Sequence, residues 1–285
     1  MLFDRDRPPE ELAGFARAVE SMGADDLWVV EDLGWASSIA PAAVALACTG
    51  RIRVGVSITP APLRNPALLA MEAATLARMF PARFILGVGH GVAAWMRQVG
   101  AATPHQLALL EETITAVRAL LRGETVTLHG TVVHLDGVRL VHPPSVPPPV
   151  VAGVVRPRSL RLSGRVADGT VIAEGHGPAA LVQALEHIAA DRPGDDPAHE
   201  VVVLAYLGVD TASETARAEL RAVVAGQADW LGVPAAEVFL AGGTADAAAD
   251  AVRSLWDAGA HTVVLRAIGE DPAGQLRPVL AALGR

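Results

Sequence analysis

The chain of 285 residues reads as an α/β protein of the (β/α)8 TIM-barrel class, and three observations point there. Eight β-type segments, from Met1–Phe3 to Thr262–Arg266, alternate with helical stretches, the count that such a barrel requires. Residues 52–91 make strand, helix and strand in succession, one parallel βαβ unit with a right-handed crossover. Both strands of that unit run into unusual backbone, Ser57-Ile58-Thr59-Pro60 after the first and Gly87-Val88-Gly89-His90-Gly91 after the second. Ligands of parallel α/β folds bind at such carboxyl ends, so this unit is expected to form one wall of a cofactor site. A doubly wound open sheet is the competing architecture. Against it, no GxGxxG follows the first strand and no second domain is visible in the second half.

Element by element, Met1–Phe3 is a very short β start, and Pro8-Pro9 opens a helix that carries Leu12, Phe15, Ala16 and Val19 and stops at Gly23. DDLWVV is a strand ending at Glu31-Asp32, 37–48 a short helix, and 52–57 a strand. Asn65 caps the next helix with Pro66 in its first turn, and 84–88 is the fourth strand. The alternation pauses over residues 92–149. Thr103-Pro104 begins a long amphipathic helix with Leu107, Leu110, Ile114, Val117 and Leu121. TVTLHGTVVHLDGVRL then alternates with period two as a hairpin around His129-Gly130, and HPPSVPPP is a stiff linker. This stretch is expected to be an insertion covering a rim of a single domain, 1–285. PVVAG, DGTVIAEG, VVVLAYLGV and HTVVLRAI are the remaining strands, with helices between and after them. Ser213 is a candidate cap of the helix 211–230, and VFLAGG reads as loop-like.

Composition removes several function classes. A net charge of −8 argues against nucleic acid, whose phosphates need a basic face. All 23 basic residues are arginine, which excludes a Schiff-base or P-loop lysine. The single cysteine, Cys48, lies in an apolar helical run and reads as packing. No His/Cys/Asp/Glu set has metal-ligand spacing, no serine sits on a nucleophile elbow, and no run reaches membrane-helix length. The expectation is a cytoplasmic protein with a small-molecule substrate, no metal, no nucleic acid and no membrane.

The candidate site residues lie at strand ends. Glu31 and Asp32 are two carboxylates at the barrel mouth, serving either proton transfer or the cap of the next helix. Gly87, Gly89 and Gly91 let backbone approach a planar ring or a phosphate, or else reflect tight packing alone. His90 is either an acid/base near that ring or a hydrogen-bonding loop residue. Gly153, Val154, Val155, Arg156 and Arg158 precede and open a helix, whose amino end and two guanidinium groups suit a phosphate or carboxylate tail. The alternative is surface arginines balancing an acidic surface. Asp168-Gly169 falls at the stability end as a turn, whereas Glu174-Gly175-His176 falls at the mouth. Trp28 reads as core, and Trp95 as either a cover over the pocket or packing.

Taken together, DDLWVVED, IRVGVSITPAPLRNPALLAMEAATLARMFPARFILGVGHG, AWMRQVG and VADGTVI resemble the bacterial luciferase-like superfamily. Within it they are most similar to oxidoreductases that use coenzyme F420, an 8-hydroxy-5-deazaflavin, including methylenetetrahydromethanopterin reductase. The resemblance implies a TIM barrel with an insertion after strand four, and hydride transfer between F420 and an organic substrate. It also implies a cis peptide bond at Ser57-Ile58 that, with Thr59, backs the central ring, and a homodimer formed through barrel helices. Two departures stand out. The chain opens near the end of the first strand, at Leu2-Phe3-Asp4. Asp32 and Val92 occupy positions that are His and a catalytic Glu in some deazaflavin enzymes. The second departure argues against the sugar-phosphate dehydrogenase branch and leaves the proton donor open among Asp32, Glu31 and His90. An FMN-dependent monooxygenase on the same fold is the neighbouring reading, and a barrel that binds cofactor without catalysis is a third.

Overall fold

The computed structural model describes residues 1–192, 199–209, 214–269 and 271–285. Its elements are α1 (Leu12–Ser21), β1 (Asp26–Val29), α2 (Ile39–Cys48), β2 (Arg53–Val56), β3 (Thr59–Pro60), α3 (Pro66–Met79) and β4 (Phe84–Gly89). There follow α4 (Ala93–Gln98), α5 (Gln106–Leu121), β5 (Val126–His129), β6 (His134–Val138), β7 (Val150–Gly153), α6 (Pro157–Val166) and β8 (Gly169–Ile172). The last third holds α7 (Pro178–Ala190), β9 (Glu200–Val209), α8 (Glu214–Leu231), β10 (Leu240–Gly243), α9 (Ala245–Asp257), β11 (Thr262–Ala267) and α10 (Pro272–Ala282).

The main sheet is parallel and curled, in the order β1-β2-β4-β7-β8-β9-β10, with β11 on β9 and β3 on β4. The expected first strand shrinks to one parallel bridge at Leu2. Its backbone nevertheless works on two sides. Trp28 N–H donates to Met1 O (2.7 Å) and Phe3 N–H to Trp28 O (2.8 Å), while Leu2 N–H donates to Leu265 O of β11 (3.0 Å). β5 and β6 pair antiparallel, apart from the main sheet.

Two apolar layers hold the sheet. On its concave side Leu2, Trp28, Ile85, Val151, Val171, Val202, Leu204 and Val264 pack as one buried cluster. β2 offers Gly55 to this cluster because Trp28 needs the room: a Cβ on Gly55 would lie 2.4 Å from the indole. On the other side, alternate strand residues such as Leu27, Val54, Leu86 and Val203 meet Leu46, Leu69, Ile114 and Leu181 of the surrounding helices. Alternation of the two sets along each strand is the period-two geometry of a sheet buried on both faces.

Several expectations need correction. VFLAGG, read as a loop, contains strand β10, because Leu240–Gly243 finds Tyr206–Val209 as a parallel partner. Helix α2 begins at Ile39 rather than at residue 37, since Ser38 gives its hydroxyl to other partners. Asp168 is no mere turn residue: its carboxylate accepts from Val150 N (2.8 Å) and pairs with Arg118 (2.5 Å), tying β7 to α5. Ser213, the candidate cap, lies outside the described residues. Asn65 does cap α3, accepting from Ala67 N at 2.9 Å. No helix among the described residues is long and apolar enough to cross a membrane.

Candidate functional site

The carboxyl ends of β2, β4 and β7 converge on one side chain. The Ser57–Ile58 peptide bond is cis, and Ile58 turns its side chain onto three glycines. A Cβ on Gly153 would stand 2.2 Å from Ile58 Cγ2, one on Gly89 2.9 Å from Ile58 Cδ1, and one on Gly87 3.3 Å from Ile58 Cγ2. Only glycine fits at any of the three, since a Cβ on Gly87 would also lie 2.0 Å from Val56 O, and backbone and the isoleucine together form an apolar shelf. Thr59 and Pro60 continue from it as β3, in register with Val88 and Gly89. Gly91 has φ +69°, a left-handed conformation that glycine takes freely, and a Cβ there would meet Pro60 at 2.9 Å.

Behind the shelf runs a polar chain. Thr59 and Ser38 share a hydroxyl contact of 3.1 Å, and Ser38 donates both Oγ–H (2.5 Å) and N–H (3.0 Å) to Glu31. Glu31 also pairs with Arg64, which reaches on to Glu72 at 3.2 Å. Glu31 is therefore committed to holding the Thr59 segment and the start of α2. It keeps its carboxylate occupied and 8% exposed, unlike a group free to pass a proton to a ligand.

Asp32 points elsewhere. It accepts from Arg5 at 2.9 Å, and the Arg5 guanidinium lies 4.6 Å from the Trp35 ring. Trp35, half exposed, tilts against Trp95 of α4 at 6.1 Å between centroids, which puts Trp95 at this edge rather than in the core. His90 bridges to α6: its Nε2 and Ser159 Oγ are 3.0 Å apart. Burial lowers the His90 pKa, with a hydrogen bond to the Gln106 backbone pulling the other way, so the imidazole is held towards its neutral form. Gly153 lies under Ile58, and Val154 is buried and bonded to Val171. Val155 is half-buried in the loop that follows. Arg156 and Arg158 are exposed at the amino end of α6 and make no ion pair among the described residues.

The expected residues thus fall into two groups. Ser57, Ile58, Thr59, Gly89, Gly91 and Gly153 come together, with His90, Val154, Val155, Arg156 and Arg158 along the α6 edge. Asp32 and Glu31 separate, one towards Arg5 and one towards Arg64. Among the described residues no cluster of three or more His, Cys, Asp or Glu could hold a metal ion. Two cavities, about 330 Å³ by Pro149, Asp168 and Glu200 and about 730 Å³ between α2 and α3, lie away from the shelf.

Sequence reasoning placed Glu174 at the mouth but missed the polar set that it joins there. Arg266, on β11, donates from Nε to Asp4 (2.6 Å) and from Nη1 to Glu174 (3.3 Å), and lies 5.7 Å from the Tyr206 ring. Tyr206 O–H donates to Gln227 (3.2 Å), whose Nε2 donates to Glu174 O (2.6 Å). Burial, with Glu174 next in size, pushes the Tyr206 phenol up to about 12. Burial alone would lower the Arg266 pKa, but Glu174 and Asp4 more than offset it and raise it. The available signal was an arginine inside the apolar strand HTVVLRAI.

Comparison with known proteins gives the family. An F420-dependent glucose-6-phosphate dehydrogenase of Nakamurella multipartita is 33% identical over 189 residues, 62% of this chain and 56% of that enzyme. The matched stretch therefore spans little more than half of that relative. A 5,10-methylenetetrahydromethanopterin reductase of Methanolobus tindarius is 30% identical over 79% of this chain and 70% of that enzyme. Among solved structures, an F420-dependent secondary alcohol dehydrogenase in complex with an F420-acetone adduct superposes with TM-score 0.85 at 22% identity. It covers 99% of this chain and 97% of that one, a likeness of fold. The family model described as luciferase-like monooxygenase matches residues 4–276, and the chain belongs to that family.

Proposed function

We propose that the chain is an oxidoreductase that transfers a hydride between coenzyme F420 and an organic substrate. The observation that carries this reading is the shelf of Ile58 on Gly87, Gly89 and Gly153. Three absent Cβ atoms let Ile58 lie down on the strand ends as an apolar shelf, which suits one face of a planar deazaflavin. The F420 enzymes among the relatives, at 30% and 33% identity, favour that cofactor over FMN. When bound, the deazaflavin supplies a two-electron hydride carrier.

The protein's own contributions follow from placement. Ser57, Ile58 and Thr59 back the ring, and Glu31 holds them there through Ser38. Gly89 and Gly153 leave the room in which Ile58 lies under the ring, Gly91 makes the turn beside Pro60 at its edge, and Val154 and Val155 border the tail. Arg156, Arg158 and the amino end of α6 suit the cofactor's anionic tail, since both guanidinium groups stand unengaged by carboxylates. Asp32 and His90 are the proton-handling groups of this reading. His90, kept towards neutral, can both accept and donate. Glu31 is assigned to positioning.

The same reading takes the curled sheet as a closed (β/α)8 barrel forming one domain, 1–285, with an insertion over about 92–149. The bonds of Leu2 and its neighbours to both β1 and β11 support closure, and the separate β5–β6 pair supports the insertion. For the homodimer, the groove between α2 and α3 offers a seat. Val44, Leu68, Met71 and Met79 are about half exposed or more on those adjacent helices. Sedimentation of the wild type and of Met71→Glu checks it, with the variant expected to be the smaller species.

The activity is tested by mixing F420-loaded protein with a broad set of alcohols, aldehydes and reduced pterins and following the deazaflavin absorbance. Reduction by one member supports the reading. Full occupancy with no response across the set favours a binding protein instead.

A further inference from the structure

Arg266 is held on two sides by carboxylates, yet one edge of its guanidinium is unused. Nε serves Asp4 and Nη1 serves Glu174, whereas Nη2 has no hydrogen-bond partner among the described residues and is not sealed from solvent. Glu174 is in the same position, its Oε1 on Arg266 and its Oε2 without a partner among the described residues and likewise unsealed. The side chains are 18%, 17% and 12% exposed for Arg266, Asp4 and Glu174, so the group is largely withdrawn from water and fixed before any ligand arrives. It spans the carboxyl ends of the Leu2 segment, β8 and β11, which is the face where Ile58 sits.

The charge of this set decides what fits it. Two carboxylates against one guanidinium leave it net negative, and the neighbouring Arg5 is engaged by Asp32. Arg156 and Arg158, the unengaged pair, belong to the α6 side. The mouth is thus divided, with anion-seeking arginines on one side and neutralised arginines on the other. A phosphate or carboxylate placed against Arg266 would meet two carboxylates in a poorly hydrated spot, where like charges repel strongly. A hydroxyl meets no such penalty. It accepts from Arg266 Nη2 and donates to Glu174 Oε2, satisfying both open atoms at once.

We propose that Arg266, clamped between Asp4 and Glu174, is a specificity-determining residue that selects an uncharged, hydroxyl-bearing substrate and excludes phosphorylated and carboxylated ones. The proposal rests on the oxidoreductase reading for the identity of the partner bound beside it, but its test separates the two. Calorimetry with the F420-saturated protein would measure binding of matched pairs: glucose and glucose 6-phosphate, glycerol and glycerol 3-phosphate, cyclohexanol and cyclohexanecarboxylate. At least one uncharged member is expected to bind, with its anionic counterpart at least tenfold weaker. Glu174→Gln is expected to narrow that gap at least threefold, and Arg266→Met to lose the uncharged ligand. Asp4→Asn serves as a second neutralising variant should Glu174→Gln fold poorly. An anionic member bound as tightly as its partner, or no uncharged member bound, overturns the proposal. Failure of F420 itself to bind would instead overturn the reading beneath it.

Discussion

Ile58 lies on Gly153 so closely that a Cβ at the glycine would stand 2.2 Å from Ile58 Cγ2. Contacts of that length do not occur between real atoms, so Gly153→Ala must lift Ile58 or push β7 aside. Overpacking of this kind costs about 1–3 kcal/mol. The variant is expected to fold, with thermal unfolding at lower temperature, and to bind F420 at least tenfold more weakly. Equilibrium titration of folded protein checks the second effect, and unchanged affinity would show that the shelf is not the ring's support.

The concave core makes a parallel case without the cofactor. Gly55 leaves space that the Trp28 indole fills, and a Cβ there would sit 2.4 Å from the ring. Gly55→Ala is expected to destabilise the protein by roughly 2 kcal/mol. Denaturant unfolding measures it, and the urea midpoint should fall with the slope unchanged.

Glu31 and Asp32 are neighbours in sequence with different duties, and substitution should separate them. Glu31→Ala leaves Arg64, whose side chain is 14% exposed, with Glu72 as its one remaining carboxylate and removes the acceptor of Ser38. With Glu72 still on Arg64, the loss is that of the buried hydrogen bonds from Ser38 and Arg64, about 1–3 kcal/mol. Asp32→Asn touches a more open pair, with side chains 23% and 32% exposed, so little stability should be lost. Its effect is expected on turnover instead. Unfolding curves and steady-state rates on both variants distinguish the two roles.

His90 gives a pH prediction. Burial lowers its folded pKa below the ordinary value of 6.5, so the unfolded chain takes up the proton first as pH falls. The stability due to neutral His90 is therefore complete above pH 6.5 and is lost as pH drops from there through the lowered folded value. His90→Asn should flatten this part of the curve. Melting temperatures from pH 8 to 5, taken for both proteins, provide the comparison.

Much of this was readable from residues that lie near one another in the chain. The βαβ unit announced itself by period and by its two odd strand ends, and those ends do converge, since Ile58 and Gly89 belong to adjacent elements. Long-range pairing was not readable. Arg266 meets Asp4 across 262 positions and Glu174 across 92, and nothing local in HTVVLRAI or LFDRD names the partner. Glu31 reads from sequence as either a proton carrier or the cap of the next helix, and its bonds to Ser38 and to Arg64, 33 residues on, favour the second. β10 failed for another reason. LAGG has low strand propensity, and its state is imposed by the ladder offered by Tyr206–Val209.

Competition between F420 and FMN decides which cofactor the shelf holds. Purified protein would be titrated with F420 in the presence of FMN, under anaerobic conditions, with occupancy followed by fluorescence. One F420 is expected to bind per chain in the micromolar range and to resist displacement by a tenfold excess of FMN. Saturation by FMN with F420 excluded would contradict this.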